Sequence, residues 1–292
     1  MKRTDFSALL TKGPVILDGA TGTNLARAGM PRGVSTEAWV LEHPEPLAEL
    51  QRAYVAAGSQ IVYAPTFGAN RVTLGLYGLS ERVGELNRRL VAVSREAVGE
   101  SALIAGDMTT TGQAPEPQGP MTYETLLDVY REQAEALLEA GVDLFVAETL
   151  MGVTELQAVL EAVRALCDLP VLCSLSLASD GMAYFDGGAE DAAAAAEVLG
   201  ADAVGVNCSV GPDQLVSVVT MLRGATSLPI LAKPNAGLPT ITDGGEAVYS
   251  MRPRRFAESM LRLRGAGASL LGGCCGTTPE YIRELVRLCG TK

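Results

Sequence analysis

Cys274 and Cys275 stand side by side in the run Gly-Gly-Cys-Cys-Gly-Thr-Thr-Pro, and Cys208 follows an apolar segment earlier in the chain. Three thiolates at about 2.3 Å from a shared centre suit tetrahedral Zn²⁺ with one position left open. Neither cysteine loop is a CxxC knuckle, so the fold must bring the three together. A zinc centre carrying three thiolates is net negative and a poor Lewis acid for hydrolysis. It still lowers the pKa of a bound thiol, so that a substrate sulfur binds as thiolate and remains nucleophilic. The reaction that fits is alkyl transfer to that sulfur. It needs no imidazole base, and His43 is the only histidine in the chain. A vicinal disulfide between Cys274 and Cys275, in a strained eight-membered ring, is the alternative chemistry of the pair.

Cys167, Cys173 and Cys289 read as small core hydrophobes. The other polar residues that end apolar segments are Asp18, Thr66, Asp107, Glu148, Ser174, Asn207, Lys233 and Asn235. Asp18 and Glu148 suit an ammonium group, although Asp18 also reads as a cap or turn former. The backbone N–H groups of Gly19, Ala20, Thr21, Gly22 and Thr23 suit a carboxylate held by a Gly-rich turn, with the Thr21 and Thr23 hydroxyls assisting. Together they point to a small zwitterionic thiol.

These residues need elements to position them. Short apolar segments recur at 15–17, 61–63, 102–106, 144–148, 171–174, 203–207, 230–233 and 269–272. Near-continuous apolar runs of this length suit strands buried on both faces of a parallel sheet. Amphipathic stretches lie between them near 44–57, 80–98, 122–140, 154–166, 189–199, 213–224, 253–264 and 279–289. Pro44 and Pro46 open the first and Gly58 closes it, while Pro279 opens the last. Eight strands alternating with eight helices predict a (β/α)8 barrel spanning 1–292 as one domain. A doubly wound open sheet usually carries a GxGxxG turn after its first strand, and the run from Asp18 to Thr23 lacks that spacing. The stretches 111–121 and 234–252 read as irregular βα loops at the barrel mouth. In such barrels the reactive groups sit at the carboxyl ends of the strands, and the sixth and eighth strands feed the same rim.

The chain has 292 residues, with 23 basic against 34 acidic side chains, a formal charge of −11. That balance argues against nucleic acid or an anionic membrane as partner. No stretch approaches 18 uninterrupted apolar residues. Asp5 and Lys12 stand where a signal peptide would carry its apolar run, so a cytoplasmic location is expected, with the thiols kept reduced. The oligomeric state is left open.

The motifs Ile-Leu-Asp-Gly-Ala-Thr-Gly-Thr (16–23), Thr-Phe-Gly-Ala-Asn (66–70), Glu-Thr-Leu (148–150), Gly-Val-Asn-Cys-Ser-Val-Gly-Pro (205–212), Lys-Pro-Asn-Ala-Gly (233–237) and Gly-Gly-Cys-Cys-Gly-Thr-Thr-Pro-Glu (272–280) run in order over nearly the whole chain. As a set they resemble the homocysteine S-methyltransferase family, in particular the homocysteine-binding barrel of cobalamin-dependent methionine synthase. The resemblance implies a zinc-bearing barrel that methylates homocysteine to methionine. It implies Cys208, Cys274 and Cys275 as zinc ligands, with Asn235 taking the fourth position when substrate is absent. It implies Asp18, Gly19, Ala20, Thr21 and Glu148 as homocysteine contacts, with Thr66 and Asn207 in the same substrate set.

Relatives that use S-methylmethionine tend to have Arg after the double Cys, where this chain has Gly276. Betaine-using relatives tend to carry an aromatic after the strand-four Glu, where this chain has Thr149. Both departures point to a methylcorrinoid (methylcobalamin) donor. The chain shows no corrinoid-binding module, so the donor would arrive on a separate corrinoid protein or as free cofactor. Ala64-Pro65 replaces a common Thr-Asn, and the run Gly106 to Gly112 replaces a more usual Gly-Pro-Thr-Gly loop. Two rival readings remain: a barrel using the turn at 272–278 as a phosphate cradle, and a non-catalytic module that binds zinc or a corrinoid protein.

Overall fold

The computed structural model describes residues 1–242 and 247–290. Its strands are β1 (Val15–Ile16), β2 (Ile61–Tyr63), β3 (Leu103–Met108), β4 (Leu144–Leu150), β5 (Val171–Leu175), β6 (Ala203–Cys208), β7 (Ile230–Pro234), β8 (Pro239–Ile241), β9 (Ala247–Tyr249) and β10 (Ala268–Leu271). All but β8 and β9 form one parallel sheet in the order β1-β10-β7-β6-β5-β4-β3-β2. A parallel bridge from Leu17 to Ile61 brings β1 round to β2, supported by the Gln60 N–H on the Ile16 carbonyl at 2.7 Å. The result is the expected (β/α)8 barrel.

The helices are α1 (Arg3–Leu10), α2 (Gly22–Arg27), α3 (Thr36–Glu42), α4 (Pro44–Ala57), α5 (Arg71–Gly75), α6 (Val83–Val98), α7 (Tyr123–Glu139), α8 (Val153–Arg164), α9 (Ala189–Val198), α10 (Val216–Ala225), α11 (Pro253–Gly265) and α12 (Pro279–Cys289). Each amphipathic stretch of the sequence overlaps one of the longer helices, with the ends differing by at most three residues. The stretch at 80–98 is divided, a 3-10 turn at Ser80–Arg82 leading into α6. The short α1, α2, α3 and α5 carry too few turns to show a periodic pattern. Within 234–252 the described residues form the antiparallel hairpin of β8 and β9 rather than irregular loop; 243–246 of that expectation lie outside the described residues. Among the described residues no helix is long and apolar enough to cross a membrane.

Strand side chains alternate between two faces, and the core divides accordingly. Val15, Leu17, Ile61, Ala105, Leu144, Val146, Leu172, Ala203, Leu231 and Leu270 fill the barrel interior, and Phe6 of α1 joins the same cluster. Ile16, Val62, Ile104, Phe145, Val171, Val204, Ile230 and Leu271 face the helices instead. Stepping two residues along from the inward set reaches Tyr63, Asp107, Glu148, Ser174 and Lys233. The pleat therefore stacks a polar layer on the apolar plug, at the carboxyl ends of the strands.

Candidate metal and substrate site

The three cysteines meet at that end of the barrel. Cys208 ends β6, and Cys274-Cys275 lie just past β10. Their sulfurs all lie within 4.8 Å of one another. A metal about 2.3 Å from three sulfurs in tetrahedral geometry sets them roughly 3.8 Å apart, so only small adjustments separate this arrangement from a ligating one. The donor set of three thiols with no imidazole or carboxylate fits zinc.

Long-range hydrogen bonds fix the cysteine turn. The Cys274 N–H donates to the Pro234 carbonyl (2.8 Å) and the Ala236 N–H to the Cys275 carbonyl (2.9 Å). The Thr277 hydroxyl donates to the Cys274 carbonyl (2.7 Å) and accepts from the Ala20 N–H (3.1 Å). On the other side, Cys208 and Ser209 hold φ of 59° and 54°, a region that costs non-glycine residues energy and must be enforced by surroundings. The Val210 N–H on the Cys208 carbonyl (2.7 Å) and the Ser176–Ser209 hydroxyl pair (2.7 Å) supply that restraint. Hydrogen bonding from Cys208 and Cys274, with a further contribution from the Tyr249 hydroxyl, draws the Cys275 thiol down to about 3. Hydrogen bonds to Cys208 and Cys275, then burial, push Cys274 up.

The thiols border a cavity of about 300 Å³ that is also lined by residues 18–23, Glu37, Tyr63, Phe67, Asp107, Glu148, Thr149 and Lys233. Lys233 Nζ lies 2.9 Å from Asp18 Oδ1 and 3.5 Å from Glu148 Oε2, with the Tyr63 ring centroid at 3.4 Å. Asp18 Oδ2 accepts the Tyr63 N–H at 2.8 Å. Burial alone would lower the Lys233 pKa, but Asp18 and Glu148 outweigh it and hold the ammonium charged. Burial pushes Asp18 up, and Lys233 and the Tyr63 N–H pull it part of the way back. Glu148 is also raised, by burial first, with Lys233 opposing and Asp18 adding to the rise. Asp107 is raised by burial and by the Glu148 charge.

A protein-family model described as homocysteine S-methyltransferase matches residues 15–289. The chain belongs to that family. It is 31% identical over 300 residues to the methionine synthase of Mycobacterium leprae (strain TN), covering 97% of this chain and 25% of that protein. It thus spans about a quarter of the length of that relative. The homocysteine methyltransferase MmuM from Escherichia coli in its oxidized form superposes with a TM-score of 0.82 at 27% identity, covering 97% of this chain and 99% of MmuM. The metallated form of MmuM gives 0.80 at 26%, covering 96% and 98%.

Within this family framework the structure sorts the residues expected from the sequence. Cys208, Cys274, Cys275, Asp18, Gly19, Ala20, Thr21 and Glu148 line one cavity. Thr66 and Asn207 do not. The Thr66 hydroxyl clamps the Asp107 backbone, donating to its carbonyl (2.8 Å) and accepting its N–H (3.0 Å). Asn207 is buried and spent on protein groups: its Oδ1 accepts the Thr149 N–H and the Ser174 hydroxyl, each at 2.8 Å, and its Nδ2 donates to Thr149 Oγ1 at 2.7 Å. Both are placed to position their neighbours. Asn235 is buried, and among the described residues its Oδ1 has no hydrogen-bond partner. Lys233, Tyr63 and Tyr249 were given no role from sequence. A lysine inside the apolar segment 230–233 was the available signal for the first, since a buried ammonium demands a counter-ion; the two tyrosines gave none.

Proposed function

We propose that the protein is a zinc-dependent S-methyltransferase that converts homocysteine to methionine, with a methylcorrinoid supplied by a separate protein or as free cofactor as the methyl donor. The observation that carries this reading is the convergence of three thiols within 4.8 Å on a cavity whose other walls are carboxylates and a Gly-rich turn. Cys208, Cys274 and Cys275 would hold the zinc, and Asn235 Oδ1, without a hydrogen-bond partner among the described residues, is available to it before substrate arrives. When bound, zinc supplies the Lewis acidity that lets an incoming thiol shed its proton near neutral pH and act as a thiolate.

The chain's own residues do the rest. Glu148 meets the substrate ammonium, and the N–H groups of the turn at residues 19–23 meet its carboxylate, although the Ala20 N–H is already shared with Thr277. The Asp18–Lys233 pair braces the Glu148 side of the cavity. Transfer forms a sulfur–carbon bond and breaks the methyl–donor bond; the bonding pair stays on the donor and the thiol proton leaves to solvent. Gly276 supports the choice of donor. Its φ is +83° and a Cβ there would lie 2.4 Å from the Tyr249 ring, so the arginine of S-methylmethionine-using relatives has no place to stand.

The cavity also speaks against a phosphate cradle, because its one lysine is engaged by two carboxylates. The test is metal analysis with parallel assays of homocysteine against methylcobalamin, S-methylmethionine, betaine and methyltetrahydrofolate. We expect about one zinc per chain, methionine from methylcobalamin, and release of close to one proton per thiol bound at pH 7. No retained zinc, or no methionine from any donor, overturns the reading. Methionine from another donor alone overturns only the corrinoid part.

A further inference from the structure

We propose that Asp107 is a specificity residue that, together with Glu148, receives the ammonium group of the thiol substrate, while Asp18 serves the fold. The inference rests on the homocysteine reading and adds a residue and a division of labour to it.

The division follows from which carboxylate oxygens are already spent. Asp18 has both committed, Oδ1 to Lys233 at 2.9 Å and Oδ2 to the Tyr63 N–H at 2.8 Å. Lys233 thus sits where the sequence placed a substrate ammonium. Asp107 is only 4% exposed, and among the described residues its Oδ1 has no hydrogen-bond partner. Glu148 Oε2 is held only loosely, by Lys233 at 3.5 Å. A buried carboxylate oxygen without a donor is costly, so Asp107, with the loosely held Glu148 on the wall of the same cavity, describes a site for a cation with several protons to donate. A primary ammonium has three N–H donors. The two side chains arrive by the same device, each two residues beyond an apolar plug residue, Ala105 on β3 and Val146 on β4. The Asp107 backbone is clamped at both its N–H and its carbonyl by the Thr66 hydroxyl. That fixes the strand position from which its buried side chain reaches the cavity wall. Asp107 also belongs to the run Gly106 to Gly112, where this sequence departs from the usual family loop.

Calorimetry on the zinc-loaded protein with L-homocysteine and with 4-mercaptobutanoate, which keeps the thiol and carboxylate but lacks the amine, tests the assignment. Wild type should prefer homocysteine. In Asp107→Asn the homocysteine affinity should fall by about tenfold or more, as for loss of a charged hydrogen bond, with 4-mercaptobutanoate affinity unchanged. Asp107→Glu should retain part of the preference. Zinc content and melting temperature at neutral pH should not fall in Asp107→Asn, because the amide nearly matches the carboxyl group in shape and the hydrogen bonds that fix Asp107 use its backbone. An unchanged homocysteine preference in Asp107→Asn overturns the proposal, as does equal weakening of both thiols. If the zinc-loaded wild type binds neither thiol, the homocysteine reading itself fails and takes this inference with it. Binding of 4-mercaptobutanoate alone leaves a thiol site but overturns the ammonium assignment.

Discussion

The Cys275 thiol is drawn down by hydrogen bonds from Cys208, Cys274 and Tyr249, a cluster in which one sulfur already carries the negative charge that a metal takes up. The turn that carries Cys275 is fixed by backbone and threonine hydrogen bonds that do not use its sulfur. Cys275→Ala should therefore lose the metal and methyl transfer yet keep the fold. Loss of an outer hydrogen-bond partner alone typically costs 10–100-fold in metal affinity, and loss of a ligand should exceed about 100-fold. Metal content after dialysis and the melting curve of the metal-free variant measure the two halves; retained zinc with retained activity sinks the ligand assignment. The cysteines were legible in the sequence because thiols flanked by glycines have few other uses. The Asp18–Lys233 pair was not, because its members are 215 positions apart and no local pattern links them. The sequence therefore showed Asp18 as a residue of the cavity, which it lines, but not the lysine that holds one of its oxygens.

Among elements, the join between β4, β5 and β6 carries the site's geometry. The register shifts on β4 between Ala147 and Leu150, and Thr149 adopts φ of 59°. Asn207 of β6 holds that distorted residue by its N–H and its hydroxyl and reaches Ser174 of β5 as well. Glu148 is the residue immediately before the distortion, so its aim depends on this clamp. Asn207→Ala would leave the Thr149 N–H without its partner and open a small void, at a cost of about 2–3 kcal/mol. We expect a drop of several degrees in melting temperature and a raised KM for homocysteine, with zinc content kept. An unchanged melt and KM would show that β4 holds its shape without Asn207. The sequence revealed all eight strands through their apolar runs. It did not reveal this clamp, because a three-strand polar junction depends on register, which an apolar run does not specify. The hairpin of β8 and β9 was missed for a related reason: its strands are three residues long and largely exposed, so they show no buried pattern.

At the scale of the whole molecule, the barrel concentrates carboxyl groups at the carboxyl ends of its strands. Among the described residues, Asp18, Asp107 and Glu148 share the cavity with Lys233 as its one cation, in a chain already at −11. The (β/α)8 architecture explains how this is tolerated: the apolar plug below and the helices outside provide burial enough to carry it. The charge excess was visible in composition, but its concentration at one end of the barrel required the closed sheet. Folding stability should report it. Asp107 has a folded pKa well above its ordinary value because of burial and Glu148, so the native state holds a proton that the unfolded chain releases near pH 4. Its contribution is complete below that pH and is lost as pH rises toward the folded pKa, at up to about 1.4 kcal/mol per pH unit. Substituting Asn removes this dependence and also relieves Glu148. The stability of wild type minus that of Asp107→Asn, measured by urea unfolding of the metal-free, reduced proteins, should therefore decline from pH 4 upward. Taking the difference cancels the opposing titration of Cys275, which both proteins share. A difference that stays level across pH 4–8 would mean that Asp107 is as well solvated in the fold as in the open chain, contrary to its burial against Glu148.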